Sequence, residues 1–90
     1  MSSRLDKTKP PTISKRDEIE AAHVAVGVKI RSIREMLDIT QAELAERVFL
    51  ERTSITNIEA GRQRILLHQV ETFARALGTT PKNLMKGIWW

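Results

Sequence analysis

Residues 40–61 of this 90-residue chain, TQAELAERVFLERTSITNIEAG, place small and apolar side chains where two short crossing helices need them. Thr40 and Glu43 form a capping-box pattern, in which each side chain accepts a hydrogen bond from the other residue's backbone N–H, so a helix is predicted to begin near Gln41. Its predicted inner face consists of residues three and four positions apart, Leu44, Ala45 and Val48. The pattern therefore indicates a short amphipathic helix.

A second apolar stripe, formed by Ile55 and Ile58, predicts another short helix, and Gly61 is expected to end it as a C′ glycine. Ala45 lies where the two helices would approach most closely. The face opposite the apolar stripe is polar and carries Arg52, Thr53, Thr56 and Asn57. Two helices that cross at a tight turn, the second with a polar face, are the arrangement that places a helix in the major groove of DNA.

This segment resembles the lambda-repressor-like, Cro/Xre-type helix-turn-helix family, through the patterns T-Q-x-x-L-A, I-x-x-I-E-x-G and a later A-x-x-L-G. The resemblance extends over residues 26–87. It implies an all-α fold, a compact bundle of about five helices. On this basis residues 14–87 are expected to form the DNA-binding domain, with the helix-turn-helix motif at residues 41–60.

Two residues depart from the family's usual pattern in the turn between the motif helices. Phe49 occupies a position that the family usually fills with glycine in a left-handed conformation, which is costly for a bulky residue. Either the turn has a different shape, or the Phe49 ring fills a pocket that compensates. Glu51 replaces the usual Ser or Thr cap. Its carboxylate complements the helix dipole but adds negative charge near the expected path of the phosphates.

The resemblance also implies which residues contact DNA. The residues expected to read base edges are Gln41, Arg52, Thr53, Thr56 and Asn57, since Arg pairs with guanine and Asn with adenine in the major groove. The residues expected at the phosphate backbone are Ser54, Arg62 and Arg64. The alternative for the two arginines is that they belong to an ordinary solvated loop. A structural ion pair is implied between Arg34 and Glu59, the alternative being two separately solvated charges.

The N-terminal segment is basic. Residues 1–16 contain five Lys or Arg residues against one Asp, a surplus of four that equals the net charge of the whole chain. Pro10 and Pro11 interrupt any helix there, so residues 1–13 are predicted to be a flexible basic arm. Such an arm either lies along DNA and adds salt-sensitive affinity or is a solvated tail without a role.

Residues 14–25 form a helical extension that the resemblance does not explain. Apolar residues continue from Ile19 to Leu37 at three- and four-residue steps, with Ser14 and Asp17 as possible capping partners. The spacing fits one long helix, or a short helix followed by another. The extension is expected to pack on the domain or to make a dimer contact. Gly27 lies inside this pattern at a cost of about 1 kcal/mol relative to Ala.

The C-terminal part predicts two more helices and an aromatic tail. One helix begins near Leu67 and ends at Gly78, and a second begins at Thr80 and Pro81 through a cap and an N1 proline. Residues 88–90 form the tail. Trp89 and Trp90 are expected to be buried in a homodimer interface, against the first helix of the same chain, or against another protein.

Composition excludes several classes of function. The chain has no Cys for disulfides or thiolate metal sites, no signal-peptide core and no apolar run long enough for a membrane span. Its two histidines, His23 and His68, fit no catalytic pattern. We therefore expect a cytoplasmic protein that is not an enzyme, with no cofactor, metal or small-molecule ligand.

The sequence predicts a sequence-specific DNA-binding transcriptional regulator. The family resemblance implies a repressor that acts as a homodimer on an inverted-repeat operator in double-stranded DNA. The alternative is an antitoxin or other interaction protein, which neutralises a protein partner and binds DNA secondarily. The basic arm and Trp89–Trp90 are the segments that could contact such a partner.

Overall fold

The computed structural model describes residues 15–88, which form five helices and no strand. The helices are α1 (Lys15–Met36), α2 (Gln41–Val48), α3 (Arg52–Glu59), α4 (Leu67–Ala76) and α5 (Pro81–Met85). This confirms the predicted all-α class. The predicted arm of residues 1–13, the predicted cap Ser14, and Trp89 and Trp90 lie outside the described residues. Within residues 15–88, no helix is long and apolar enough to cross a membrane.

α1 is one continuous helix of 22 residues, so the first of the two predicted arrangements is the correct one. It buries Ala22, Val26 and Ile30, which are four positions apart and therefore lie on one face. Gly27 lies at the contact of α1 with α3. A Cβ added there would lie 2.1 Å from the backbone oxygen of Ile58, so only glycine allows the two helices to approach this closely.

The beginning of α2 has the predicted capping box. The Thr40 hydroxyl accepts a hydrogen bond from the Glu43 N–H at 3.0 Å, and Glu43 Oε1 accepts one from the Thr40 N–H at 2.7 Å. The hydrogen bond from the Thr40 backbone lowers the pKa of Glu43 below its usual value. Leu44, Ala45 and Val48 are buried, as predicted from their spacing.

The turn after α2 contradicts both expectations for Phe49. Its backbone has the left-handed conformation that the family's glycine would adopt, with φ 59° and ψ 41°, so the turn does not have a different shape. Its ring is 89% exposed, so no pocket compensates either. The next residue, Leu50, is the one that packs against the core. Glu51 caps α3 through its backbone only, because its side chain makes no capping hydrogen bond.

The core lies between the five helices, and each of them contributes to it. Its fully buried large side chains are Val26, Ile30, Leu44, Ile55, Ile58, Phe73 and Leu84. α4 and the residue that follows it bury Val70, Phe73, Ala74 and Leu77. α5 begins as predicted, with the Thr80 hydroxyl accepting from the Asn83 N–H at 3.1 Å and with Pro81 in the first turn. Leu84 and Met85 are buried and close the core.

The end of α5 is attached to α1 through Lys29. The Lys29 ammonium donates to the backbone oxygens of Lys86 at 2.9 Å and Asn83 at 3.3 Å. A cation at a helix C-terminus satisfies carbonyl groups that have no partner within the helix and complements the helix dipole. α5 is therefore held both by its buried face and by this lysine.

Candidate nucleic-acid interface

α3 presents a polar face to solvent, because its apolar side chains point into the core. Ile55 and Ile58 are buried, while Arg52 and Thr53 in the first turn are exposed. The remaining predicted contact residues on this helix, Ser54, Thr56 and Asn57, are half-buried. The structure thus brings the predicted base-reading residues of α3 together on one accessible helix surface.

Gln41 joins this surface from the first turn of α2. The Thr56 hydroxyl lies 3.0 Å from Gln41 Oε1, and Gln41 Nε2 donates to Glu59 Oε1 at 3.1 Å. These two bonds fix the orientation of the Gln41 amide, with its oxygen toward Thr56 and its nitrogen toward Glu59. One N–H and one lone pair of the amide remain for another partner. Gln41 can therefore contact a nucleic acid without breaking either bond.

Glu59 forms a nearly buried ion pair with Arg34 of α1. Arg34 Nε lies 2.7 Å from Glu59 Oε2 and Arg34 Nη2 lies 3.1 Å from Oε1, while the side chains are 11% and 2% exposed. Arg34 also donates to the Ile39 backbone oxygen at 2.8 Å. The hydrogen bonds to Glu59 raise the pKa of Arg34 above its ordinary value. The pair links α1 to α3, and through Gln41 it extends to α2.

α3 ends in a tight turn at Gly61. Gly61 has a φ of 79°, which supports its predicted role as the C′ residue. The N–H groups of Arg62 and Gln63 both donate to the Asn57 backbone oxygen, at 2.8 and 3.2 Å. Arg62 Nε donates to Asn57 Oδ1 at 3.2 Å. Arg62 therefore lies directly beside one of the predicted base-reading residues. Within residues 15–88, no protein group accepts a hydrogen bond from the Asn57 amide nitrogen.

Arg64 is not a freely solvated side chain. Its Nη2 lies 2.6 Å from Glu20 Oε2 on α1, and both side chains are about half exposed. This pair lowers the pKa of Glu20 and raises that of Arg64. One residue further along the loop, the Ile65 N–H donates to His23 Nδ1 at 3.1 Å. Residues 20–24 of the N-terminal extension thus pack on the domain, one of the two arrangements predicted for it.

Sequence reasoning did not find these contacts of Glu20 and His23. The residues lie 44 and 42 positions from their partners, and neither local periodicity nor a capping pattern relates positions so far apart. The available signal was the long apolar stripe of α1, which indicated that residues before Gly27 face the same core.

Residues 25–85 match the family model described as a helix-turn-helix domain. The chain belongs to the helix-turn-helix family. The match covers all five helices except the first turns of α1 and includes every described residue predicted to contact DNA. Glu20, His23 and Val24 lie before its first residue.

Sequence relatives place the chain among Cro/Xre-type regulators. It is 38% identical over 60 residues to control protein C.BamHI of Bacillus amyloliquefaciens, which covers 66% of this chain and 74% of the relative. It is 30% identical over 66 residues to control protein C.MunI of a Mycoplasma species, and the aligned segment covers 72% of this chain and 89% of that relative. Over 55 residues it is 38% identical to the immunity repressor protein of Bacillus phage phi105, which covers 61% of this chain and 38% of that repressor.

Solved structures agree with this assignment. The restriction-modification controller protein C.AhdI from Aeromonas hydrophila superposes with a TM-score of 0.68 at 28% identity, covering 71% of this chain and 97% of that one. The clp gene regulator ClgR from Corynebacterium glutamicum superposes with a TM-score of 0.69 at 25% identity, covering 71% of this chain and 68% of that one. Together with the helix-turn-helix match, these findings identify the chain as a DNA-binding transcriptional regulator.

Proposed function

We propose that the protein is a repressor that acts as a homodimer on an inverted-repeat operator, with half-sites about one helical turn apart. The observation that carries this proposal is the accessible polar face of α3, held in place by the hydrogen-bonded chain from Thr56 through Gln41 and Glu59 to Arg34. Regulation by occupying a DNA site involves no chemical step. The proposal therefore needs no enzymatic activity.

The residues divide into base readers and phosphate contacts. Arg52, Thr53, Thr56 and Asn57 enter the major groove from α3, and Gln41 joins them from α2. Ser54, Arg62 and Arg64 contact phosphates and position the domain without reading sequence. The exposure of Arg52 and the position of Arg62 beside Asn57 support this division, because they place positive charge on both ends of α3.

The names of the relatives suggest which genes to test first. Two sequence relatives are control proteins, and one structural neighbour is a restriction-modification controller protein. We therefore propose that this chain regulates promoters of restriction-modification genes. Promoter fragments of that kind are the natural first probes after the site itself has been selected.

The test is selection of binding sites from random duplex DNA, followed by sizing of the complex. We expect an inverted repeat bound by two copies of the chain. Arg52→Ala and Asn57→Ala should each cost about 1–3 kcal/mol on that site and relax the base preference at one position per half-site. Arg75→Ala is the matched control, because Arg75 is an exposed α4 arginine paired only with Glu71. Unchanged base preference in both α3 variants would contradict the assigned readout.

A further inference from the structure

We propose that the N-terminal turns of α1 are a positioning element for DNA binding, in which Glu20, His23 and Val24 hold the loop of residues 60–65 in its DNA-contacting conformation. The proposal rests on the proposed phosphate contacts of Arg62 and Arg64. These three α1 residues precede the segment that matches the helix-turn-helix model. The positioning role therefore involves residues outside the segment that the family model describes.

Val24 fixes the beginning of the loop. It packs against Gly61, where an added Cβ would lie 2.8 Å from Val24 Cγ2. Gly61 has a positive φ and no side chain, so α1 can approach the backbone at the point where α3 turns into the loop. Arg62, the next residue, leaves this turn toward Asn57. The contact therefore sets the direction in which Arg62 leaves the helix.

His23 and Glu20 fix the end of the loop. His23 Nδ1 accepts from the Ile65 N–H at 3.1 Å, and Glu20 holds the Arg64 guanidinium at 2.6 Å. The backbone is thus attached to α1 at residues 61 and 65, with both arginines between these points. A segment held at both ends has little conformational freedom left to lose when it contacts DNA, which favours binding.

Of the two attachments at this end, His23 carries more of the positioning. The Glu20–Arg64 pair is about half exposed, and exposed ion pairs are weak because water and salt screen them. His23 is half-buried, and its Nδ1 accepts a hydrogen bond from the partly buried backbone N–H of Ile65. Loss of that acceptor leaves the N–H without its partner, which costs more than loss of a solvated contact.

The His23 contact depends on protonation. Only neutral imidazole can accept a hydrogen bond at Nδ1, because both ring nitrogens are donors in the cation. Burial lowers the pKa of His23, and the positive charge of Arg64 lowers it further, whereas the negative charge of Glu20 raises it. Arg64 and Glu20 are the charged groups that face the ring. Since the folded protein has the lower pKa, the stability from this contact is complete above pH 6.5 and is lost as the pH falls below it.

Two substitutions of His23 separate the acceptor from the shape of the side chain. In His23→Asn, Oδ1 is two bonds from Cβ, as Nδ1 is, so the acceptor is kept. In His23→Leu, a methyl group takes that place. On the duplex selected for the wild-type protein, we expect His23→Leu to weaken binding about three- to tenfold. We also expect the slope of log affinity against log salt to flatten by about one per lost phosphate contact.

Wild-type affinity should fall as the pH drops from 7.5 through 6.5 and on through the lowered pKa of His23, whereas His23→Asn should bind like the wild type at pH 7.5 and keep its affinity over the same range. His68→Asn, which changes an exposed histidine on α4, should leave the wild-type pH profile unchanged. Hydrogen exchange at the Ile65 N–H should be faster in His23→Leu and near wild type in His23→Asn. The pH profile needs no unstable variant, so it tests the proposal even if His23→Leu does not fold.

The result that would overturn the proposal is wild-type affinity and salt slope in folded His23→Leu, or the same pH dependence in His23→Asn as in the wild type. Arg64→Ala distinguishes this from failure of the proposed function. If Arg64→Ala weakens binding and His23→Leu does not, the phosphate contacts stand and the positioning role is wrong. If the wild type selects no sequence, both proposals are wrong.

Discussion

Gly27→Ala tests whether the contact of α1 with α3 is as close as the structure shows. Helix propensity alone predicts that this substitution stabilises the protein, by about 1 kcal/mol, because glycine is a poor helix former. The geometry predicts the opposite. The new Cβ would lie 2.1 Å from the Ile58 backbone oxygen, and real Cβ atoms essentially never approach other atoms closer than 3.0 Å.

The size of the clash decides between these two effects. The helices must separate by at least 0.9 Å at this point to bring the contact from 2.1 to 3.0 Å, and the obstacle is backbone, which cannot rotate away as a side chain can. Extra atoms in a well-packed core typically cost 1–3 kcal/mol or more. Such a displacement also disturbs the Arg34–Glu59 pair that links the same helices. We therefore expect a net loss of about 2 kcal/mol.

Thermal unfolding followed by circular dichroism measures this difference. In a domain of this size, a loss of 2 kcal/mol lowers the Tm by roughly 8–16 °C. Ser32→Ala is the control, since it adds helix propensity at an exposed position of the same helix and should not lower the Tm. A Tm for Gly27→Ala equal to or above that of the wild type would refute the close approach.

Two further predictions concern stability. Arg34→Ala should cost about 3–5 kcal/mol in urea unfolding, because it leaves the Glu59 carboxylate nearly buried without its cation; the double variant Arg34→Met/Glu59→Leu should be less destabilised, and equal losses would argue against a desolvated charge. Phe49→Gly should be more stable than Phe49→Ala by about 1 kcal/mol, because both remove the exposed ring but only glycine adopts a φ of 59° without strain. Indistinguishable unfolding midpoints for these two variants would contradict the left-handed turn.

Local signals in the sequence predicted the elements of this fold well. The capping box at Thr40 and Glu43, the apolar spacing of α2 and the cap of α5 each involve residues within one or two helical turns, and all three are confirmed. Such patterns are readable because neighbouring residues in a helix meet whatever the tertiary structure is. The family resemblance then supplied the arrangement of the helices.

The features that the sequence did not predict depend on contacts between distant elements. The reason for Gly27 lies in the backbone of Ile58, and the partners of Glu20 and His23 lie in the loop after α3. For Phe49, the resemblance indicated the left-handed position correctly. The expectation of a compensating pocket was wrong, since the Phe49 ring is 89% exposed and the next residue, Leu50, is the one that packs against the core.

The attachment of α5 by Lys29 has a consequence for how the domain opens. A helix of five residues is too short to persist alone in water, so α5 stays folded only while its buried face and its last carbonyl groups keep their partners on the rest of the domain. One ammonium on α1 serves two of those carbonyls. Among residues 15–88, the C-terminal turn is therefore the segment expected to open first by local unfolding and to be cut first by a protease, while the α2–α3 motif stays closed.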